Sequence, residues 1–427
     1  MAISLLTEKL VQFLFALVSM HAKFGKYELN ARSITLTWSW IFLAEPLKHS
    51  LDAEVVESMT QMFREAWLDF PSSRFRSIAL DNFDTLELMD RAHRLAQAMD
   101  ETLPKDFFAA IDVLTRCVEL WRTLFKKNGF SPFFWMPHSL FVTRRGLREM
   151  KSTDKKVQRL VHATAMHAQA KLTGLFSAEF SMRPWLVQWE SETLAFLRAC
   201  THSSDKHLRR LASESTRPRL PWSFRLRRFQ ENPKIQCDIL ESLLDDAEIY
   251  VRKSVANHLN DISKDHPDLA VRLMRRWLKD NATPQRRWIA GHGLRSLIKA
   301  GHPSALKVLG YDSLPSRLVV SVRALPLRVT IGGSVTIEVK ISSRQPKSQA
   351  LMVDFGIDFV KAKGTHGEKI FKLKKLVLPS GESTILRKKV SLAQHSTRKH
   401  HPGPHGVFVL VNGVRKAFCT FHLVADF

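Results

Sequence analysis

One pattern of apolar and basic residues occurs three times in the chain, as Leu208-Arg-Arg-Leu-Ala-Ser-Glu214, as Val251-Arg-Lys-Ser-Val-Ala-Asn257 and as Arg286-Arg-Trp-Ile-Ala-Gly-His292. Arg209, Arg252 and Arg287 occupy equivalent positions, with offsets of 43 and 35 residues. Offsets of this size are typical of HEAT repeats, which are helix pairs that cannot bury their apolar faces alone. The pattern therefore predicts a HEAT-like α-solenoid in which the aligned arginines share one surface.

Helical patterns extend from Leu43 to about Gly310. In residues 85–99 apolar side chains recur every three or four positions, which predicts a helix with one buried face. Asp84 stands where an N-cap is expected, and Pro104 lies beyond the end of this helix. Further helices are predicted at residues 105–125, 154–176, 185–199, 235–244, 251–262, 267–279 and 284–300.

Near Tyr311 the pattern changes to alternating apolar and polar residues, which is typical of strands. The alternating segments are residues 318–323, 334–341, 351–360, 370–377, 383–390 and 407–411. Asn412-Gly413 is a strong signal for a hairpin turn. About seven short strands predict an immunoglobulin-like β-sandwich. The predicted organisation is an N-terminal extension (1–43) without an assigned structure, a HEAT-like repeat domain (44–311) and a basic immunoglobulin-like domain (312–427).

The chain is strongly basic, with 65 Lys+Arg against 41 Asp+Glu, a net charge of +24 and a pI near 10.1. A fold needs no such excess, so the charge points to an anionic partner, with nucleic acid first and an anionic membrane surface second. Residues 313–427 hold 19 Lys+Arg and 6 Asp+Glu, a net of +13 in about a quarter of the chain. The alternative explanation is a solubilising surface.

Two groups of basic residues are candidate contacts for DNA phosphates. The candidates in the repeats are Arg209, Arg210, Arg217, Arg252, Lys253, Arg286 and Arg287. The candidates in the sandwich are Lys361, Lys363, Lys372 and Lys374. Strand alternation would place Lys372 and Lys374 on one face and Lys375 on the other.

Three acidic residues recur at close to the repeat length, since Glu179, Glu214 and Asp261 are 35 and 47 residues apart. Glu214 aligns with Asn257, and Asp261 lies four residues further along the same helix, hence on the same face. We therefore expect the three carboxylates to converge on the concave side of the solenoid. The alternative is that Glu214 and Asp261 only form ion pairs with arginines of neighbouring helices, namely Arg209, Arg210 or Arg252.

Carboxylates on a phosphate-binding surface repel DNA unless they face a positive partner, and a cationic alkylated base is such a partner. Cleavage of its N-glycosidic bond requires anionic stabilisation of a sugar cation and a positioned water, which are tasks that carboxylates perform in glycoside hydrolysis. Trp222, flanked by Pro218 and Pro221, offers a π face to a cation or a sugar. These four residues, Glu179, Glu214, Asp261 and Trp222, are the candidate catalytic residues.

Metal, cofactor and membrane partners are not predicted. The four cysteines form no C-x-x-C pair, which favours a reducing compartment without a metal or redox motif. His400, His401 and His405 lie in a Pro/Gly loop and are weak metal candidates. The apolar stretch at residues 10–20 is too short to span a bilayer and resembles a signal peptide poorly.

Several of these motifs together resemble the AlkC branch of the AlkC/AlkD DNA alkylation-repair glycosylases. The motifs in the helical part are Ala44-Glu-Pro-Leu-Lys48, Phe180-Ser-Met-Arg-Pro184, Arg217-Pro-Arg-Leu-Pro-Trp222, Tyr250-Val-Arg-Lys-Ser-Val-Ala-Asn257, Leu259-Asn-Asp261, Lys264-Asp-His-Pro-Asp268 and Arg286-Arg-Trp288. Phe359-Val-Lys-Ala-Lys363 and Phe371-Lys-Leu-Lys374 resemble the immunoglobulin-like tail that some members carry. The resemblance covers the chain from about Leu43 onward.

The resemblance implies a monofunctional glycosylase that removes cationic N3-alkylated bases, such as 3-methyladenine and 3-methylcytosine, from duplex DNA. It implies a solenoid that wraps bent DNA without the base flipping that most glycosylases use, in a monomeric, cytoplasmic protein. Glu179, Glu214, Trp222 and Asp261 match the active-site positions of the family. Ser215 and His258 depart from the family pattern, where Gly and Asn are expected. A non-catalytic HEAT-repeat DNA-binding protein and a protein-interaction scaffold remain the alternatives.

Overall fold

Helices precede strands in the computed structural model, which describes residues 46–128, 131–311, 316–362, 364–394 and 399–425. The predicted N-terminal extension and the apolar stretch at residues 10–20 lie outside the described residues. Lys363 lies outside them as well. No helix in the described part of the chain is long and apolar enough to cross a membrane.

The helical part consists of α-helices joined by short loops and by 3₁₀ turns. The α-helices of the described residues are α1 (Ala53–Ala66), α2 (Ser72–Leu80), α3 (Leu88–Thr102), α4 (Phe107–Asn128), α5 (Met136–Glu149), α6 (Lys155–Thr173), α7 (Glu179–Gln188), α8 (Glu190–Cys200), α9 (Lys206–Ser215), α10 (Arg227–Glu231), α11 (Cys237–Ser242), α12 (Ile249–Asp265), α13 (Pro267–Asp280), α14 (Pro284–Gly293), α15 (Arg295–Lys299) and α16 (Pro303–Val308). The 3₁₀ turns are Leu47–Ser50, Phe83–Thr85, Pro132–Trp135 and Pro233–Gln236.

The helices stack in the order that a repeat architecture requires. Helices α7, α9, α12 and α14 pack in succession, while α7 also packs on α8 and α12 on α13. In α13 the buried residues Ala270, Met274 and Trp277 are four and three positions apart, so a single face enters the core. The predicted helical stack is confirmed.

Some helix boundaries differ from those predicted. The predicted helix 185–199 is interrupted at Trp189, where the backbone leaves the helical region (φ −137°, ψ 55°) between α7 and α8. The predicted helix 284–300 is divided at Leu294 into α14 and α15. Asp84 is not the N-cap of α3, because it lies in the 3₁₀ turn Phe83–Thr85 and Glu87 occupies the N-cap position. Apolar periodicity continues across such interruptions and does not reveal them.

The strands form two sheets packed face to face. The strands are β1 (Leu318–Leu325), β2 (Arg328–Thr330), β3 (Ser334–Ser343), β4 (Gln349–Val360), β5 (His366–Leu378), β6 (Ser383–Ser391), β7 (Gly403–Val411) and β8 (Val414–Val424). One sheet has the order β1-β3-β6 and the other β2-β8-β7-β4-β5. Alternate side chains of β3 and β4, such as Ile337 and Phe355, fill the core between the sheets. The predicted immunoglobulin-like sandwich is confirmed.

A β-bulge in β5 changes the predicted placement of the sandwich lysines. Val353 pairs with Lys374 but Asp354 pairs with Lys372, so Leu373 is the extra residue. Lys372, Lys374 and Lys375 consequently line the same cleft. The prediction that Lys375 lies away from the other two was wrong, because a bulge interrupts the strict alternation of a strand.

Two glycines form a close backbone contact between the helical part and the sandwich. Asn412 and Gly413 both have positive φ (48° and 78°), which confirms the predicted hairpin turn between β7 and β8. This turn lies against Gly301 in the loop before α16, and a Cβ on Gly413 would lie 2.2 Å from the Cα of Gly301. Met352 of β4 belongs to the helical core. The described residues from Ser50 onward accordingly form one compact unit.

We expect Gly413→Ala to destabilise the protein by roughly 2–4 kcal/mol, because the new methyl group adds a backbone clash to the strain of a positive φ. The measurement is the free energy of unfolding in urea. Gly381→Ala is the matched control, since Gly381 has a similar φ (71°) but open space where its Cβ would lie. Equal losses in the two variants would show that the glycine contact does not matter for stability.

Candidate active site

The three predicted acids lie on three helices that pack in succession. Glu179 begins α7, Glu214 lies in the last turn of α9, and Asp261 lies in the second half of α12. Because α9 packs between α7 and α12, the three carboxylates reach a common region. All three side chains are buried.

Two arginines join these carboxylates into a continuous row. Arg210 Nη1 lies 3.0 Å from Glu179 Oε2, and its Nη2 lies 3.7 Å from Glu214 Oε2. Arg217 donates from Nη1 to Glu214 Oε1 and from Nε to Asp261 Oδ2, the latter at 2.8 Å. We call these five residues the acidic cluster. Ion pairing thus exists, but it runs through Arg210 and Arg217 rather than through Arg209 or Arg252.

The buried charges of the acidic cluster are not explained by stability. A buried ion pair costs so much desolvation that apolar replacements are often neutral or stabilising. Burial raises the pKa of the Glu179 carboxyl, which Arg210 opposes and the neighbouring Glu214 reinforces. Burial alone would lower the pKa of Arg217, but Glu214 and Asp261 raise it above its ordinary value, so it stays charged. Such clusters are candidates for functional sites.

One carboxylate of the cluster faces an exchangeable partner. Asp261 Oδ1 lies 3.2 Å from Lys264 Nζ, and the Lys264 side chain is 41 % exposed. Glu214 Oε2, by contrast, accepts a bond from the buried Ser254 hydroxyl. A cation that approached from solvent could replace the flexible lysine at Asp261 without disturbing Arg217.

Trp222 lies on the loop that follows α9, in residues 216–226. The Pro218 carbonyl accepts a bond from the Leu226 amide at 3.2 Å, which closes this loop. Trp222 has a positive φ of 62°, rare for a bulky residue, and its side chain is 59 % exposed. An exposed indole in a strained backbone conformation is typical of a ligand-binding position.

The aligned arginines of the three repeats make equivalent structural contacts. Arg209, Arg252 and Arg287 each donate to a carbonyl five residues upstream, in the loop that precedes their helix. Arg209 also pairs with Asp246, and Arg286 with Asp245. These bonds support the repeat alignment. They also show that phosphate contacts by Arg209, Arg210, Arg217 and Arg286 would have to share their guanidinium groups with existing ion pairs, and those contacts remain predictions.

Cations of the helices and of the sandwich act together on His292. Its pKa is lowered by burial and then by the half-buried Arg295 and the exposed Lys253 and Lys372. Trp288 stacks on His292 with ring centroids 5.0 Å apart and planes at 9°. Lys253 and Lys372 therefore belong to one cationic surface, although one comes from α12 and the other from β5.

A cleft of about 590 Å³ continues this surface between α14–α15 and β4–β5. We call it the cationic cleft; its charged lining residues are Arg295, Lys299, Asp354, Lys372, Lys374 and Lys375. Lys361 begins the turn that follows β4, roughly 23 Å along the strand from the position opposite Lys372 at about 3.3 Å per residue. The structure thus brings Lys372 and Lys374 together with the repeats and leaves Lys361 apart.

Three residues of the site were not singled out from the sequence. Lys264 lies on Asp261, the ring of Tyr250 lies 4.8 Å from the Arg210 guanidinium, and Arg183 contacts the loop that carries Trp222. Arg183 is four residues after Glu179, so helix geometry places both on one face. That spacing is the sequence signal that could have identified Arg183. Its contacts with the loop leave no signal in the sequence.

Metal ligands are not grouped in the part of the chain that the structure describes, where no three His, Cys, Asp or Glu side chains could hold an ion together. His405 Nε2 lies 3.2 Å from the His401 carbonyl oxygen, and its ring stacks on Phe421. The histidine loop therefore packs as part of the sandwich.

Comparisons with known proteins agree with this architecture. Residues 319–425 match the family model described as "Uncharacterised protein YhaZ, C-terminal Ig-like domain". The uncharacterized protein YhaZ of Bacillus subtilis (strain 168) is 31 % identical over 378 residues, which cover 88 % of this chain and 99 % of that protein.

A solved structure is similar over most of the chain. It is the Pseudomonas fluorescens alkylpurine DNA glycosylase AlkC, bound to DNA containing an abasic site analogue. The two chains are 34 % identical with a TM-score of 0.79, and the match covers 89 % of this chain and 100 % of the other. The chain therefore belongs to the AlkC branch of the AlkC/AlkD DNA alkylation-repair glycosylases.

Proposed function

We propose that this protein is a DNA glycosylase of base excision repair, a hydrolase of the DNA-3-methyladenine glycosylase type. Its substrates would be cationic alkylated bases, 3-methyladenine and 3-methylcytosine, in duplex DNA, and it would act as a cytoplasmic monomer without flipping the base. The observation that carries the proposal is the acidic cluster. Its three buried carboxylates come from three helices that pack side by side, in a chain of net charge +24. Family membership supports the same activity.

The acids of the cluster suit a reaction that develops positive charge on the sugar. As the bond to an alkylated base breaks, an oxocarbenium-like centre forms, and fixed carboxylates stabilise it without reorganising. Asp261 would position the attacking water, because the partner on its Oδ1 is the exchangeable Lys264. Glu214 would stabilise the sugar cation, Glu179 would line the pocket, and Trp222 would contact the lesion nucleotide through its exposed ring.

The DNA backbone would follow the exposed cations beside the cluster. Lys253 and Arg287 are exposed on α12 and α14, and Lys372 and Lys374 are exposed in the cationic cleft. Phosphates neutralised by such side chains release counterions, which makes binding strong at low salt and independent of sequence. Arg252 of the helical part and Lys361 of the sandwich would add further contacts with DNA phosphates.

A second function, DNA binding without catalysis, is favoured by one observation. Arg210 and Arg217 already neutralise much of the negative charge of Glu179, Glu214 and Asp261. If these pairs persist on DNA, the acids only organise the helices. The two functions differ in whether the protein releases a base, and in whether that release depends on Asp261.

His258 departs from the family pattern but adds no charge to the site. It is fully buried, and its Nδ1 lies 3.0 Å from the Ser213 carbonyl oxygen, next to Glu214. Its Nε2 has no hydrogen-bond partner among the described residues. Burial, with Arg217 as the next cause, lowers the pKa of His258 to about 3. A neutral imidazole is therefore expected at physiological pH.

Base release tests the catalytic proposal. We expect Asp261→Asn to reduce the single-turnover release of 3-methyladenine from methylated duplex DNA by roughly a hundredfold or more, because a fixed charge at the reaction centre is lost. Binding of undamaged duplex should be unchanged or tighter, since a repulsive charge is removed.

Asp100→Asn is the matched control for Asp261→Asn. Asp100 is also buried and paired with arginines (Arg144, Arg145 and Arg148) but lies on α3, outside the acidic cluster. The control should lose stability and keep its release rate. Equal release by wild type and Asp261→Asn would reject the proposed chemistry, and tight DNA binding with no release by either would establish the second function.

Salt dependence tests the proposed path of the DNA. We expect Lys253→Ala and Lys372→Ala each to reduce the slope of log K against log salt by about 0.9, because each lysine would neutralise one phosphate of the duplex. Lys156→Ala, on the exposed start of α6, should keep the wild-type slope. A wild-type slope in the Lys372 variant would exclude the cationic cleft from the DNA path.

The pH dependence of stability tests the state of His258. The folded pKa of about 3 lies below the unfolded value near 6.5, so its stabilising contribution is complete above pH 6.5 and is lost as pH falls towards 3. In urea titrations, His258→Asn should lose about 2 kcal/mol less than wild type between pH 6.5 and 4.5, because the slope reaches about 1.4 kcal/mol per unit only well below pH 6.5. The exposed His202→Asn should follow wild type. Parallel curves for His258→Asn and wild type would contradict a neutral imidazole.

A further inference from the structure

Arg183 of α7 is a fully buried arginine whose acceptors are all backbone carbonyls of one distant segment. Its Nη1 donates to the Arg217 carbonyl at 2.7 Å and to the Ser215 carbonyl at 3.3 Å. Its Nε donates to the Phe224 carbonyl at 3.1 Å, and Nη2 donates to the same oxygen. The guanidinium also lies over the Phe224 ring, 5.3 Å from its centroid.

These contacts join the two ends of the loop that carries Trp222. Ser215 ends α9 and Arg217 follows it, whereas Phe224 comes two residues after Trp222. A planar guanidinium has donors fixed in a fork, so it can hold two such ends at a set separation. Arg183 is thus the side chain that closes the loop from α7.

The same contacts connect Arg183 to the acidic cluster through the backbone of Arg217. Arg183 is one helical turn from Glu179 on α7, and it binds the carbonyl of Arg217, whose side chain bridges Glu214 and Asp261. Burial, and then the nearby Arg217, lower the pKa of Arg183 to about 10, so it remains protonated at neutral pH. Asp261 and Glu179 oppose this lowering, but within the described part of the chain neither forms an ion pair with Arg183. Burying a cation in this way is costly, which makes a purely structural use of this arginine unattractive.

We propose that Arg183 is a positioning residue for the proposed glycosylase reaction. It fixes the loop of residues 216–226 so that Arg217 and Trp222 are held in register with Glu214 and Asp261. This inference rests on the proposed function, but it concerns a residue that does not touch the substrate. Its effect should fall on the chemical step and on the order of the loop, and hardly on affinity for undamaged DNA.

The test compares Arg183→Lys with Arg145→Lys. A lysine keeps the charge but cannot join both ends of the loop with one fixed fork. Arg145 is an equally buried arginine that pairs with Asp100 and donates to the carbonyls of Pro104 and Lys105, away from the loop. Both variants lose a buried guanidinium, but only Arg183→Lys loses contacts with the loop that carries Trp222.

Three measurements are made on the full-length protein. We expect Arg183→Lys to slow single-turnover base release at least tenfold while the Kd for undamaged duplex changes less than twofold. Trypsin should cut the loop, after Arg219 or Arg225, at least tenfold faster than in wild type. Trp222→Ala should add little to the loss of rate in the Arg183→Lys background, because residues acting through one element are not additive.

Two further variants, the control Arg145→Lys and Phe224→Ala, keep the proposal falsifiable. Arg145→Lys should retain the wild-type rate and loop protection, and Phe224→Ala should show a weaker form of the Arg183→Lys result even if Arg183→Lys does not fold. Wild-type loop protection in both Arg183→Lys and Phe224→Ala would overturn the proposal. If the wild type releases no base, the proposed function fails, whereas the trypsin result still decides whether Arg183 holds the loop.

Discussion

The bridge that Arg217 makes between Glu214 and Asp261 is the interaction on which the rest of the site depends. It joins the end of α9 to the middle of α12, and it begins the loop that presents Trp222. Without its guanidinium, two buried carboxylates from different helices would repel each other across a short distance. The bridge holds both acids in one place, which is the condition for using them on a cation.

The site also resolves an apparent contradiction in the composition. A chain with such an excess of basic residues attracts DNA over much of its surface, yet its most buried charges include three acids. Cations exposed around His292 and in the cationic cleft can act on phosphates, while the buried acids can act only on a group that enters the surface. A positively charged base is the part of a damaged duplex that fits both conditions. Selectivity would then come from the sign of the charge as well as from shape.

The sequence predicted the fold class and the meeting of the acids for the same reason, which is periodicity. Helical and alternating patterns fix which faces are buried, and repeats of similar length bring Glu179, Glu214 and Asp261 together from neighbouring helices. The sequence predicts a phosphate contact for Arg217, and it does not show that the same guanidinium also reaches Asp261 on a different helix. The bulge at Leu373 and the loop contacts of Arg183 depend on single tertiary contacts, which leave no periodic signal.

The central claim is that the acidic cluster recognises positive charge on a base. The most direct measurement is the ratio of Kd values for duplex DNA that carries an uncharged isostere of an alkylated base and duplex DNA that carries a cationic, uncleavable analogue. The account predicts about tenfold tighter binding of the cationic form, near 1.4 kcal/mol, and a clearly smaller ratio in Asp261→Asn. Equal affinities in the wild type, or an undiminished preference in Asp261→Asn, would contradict it.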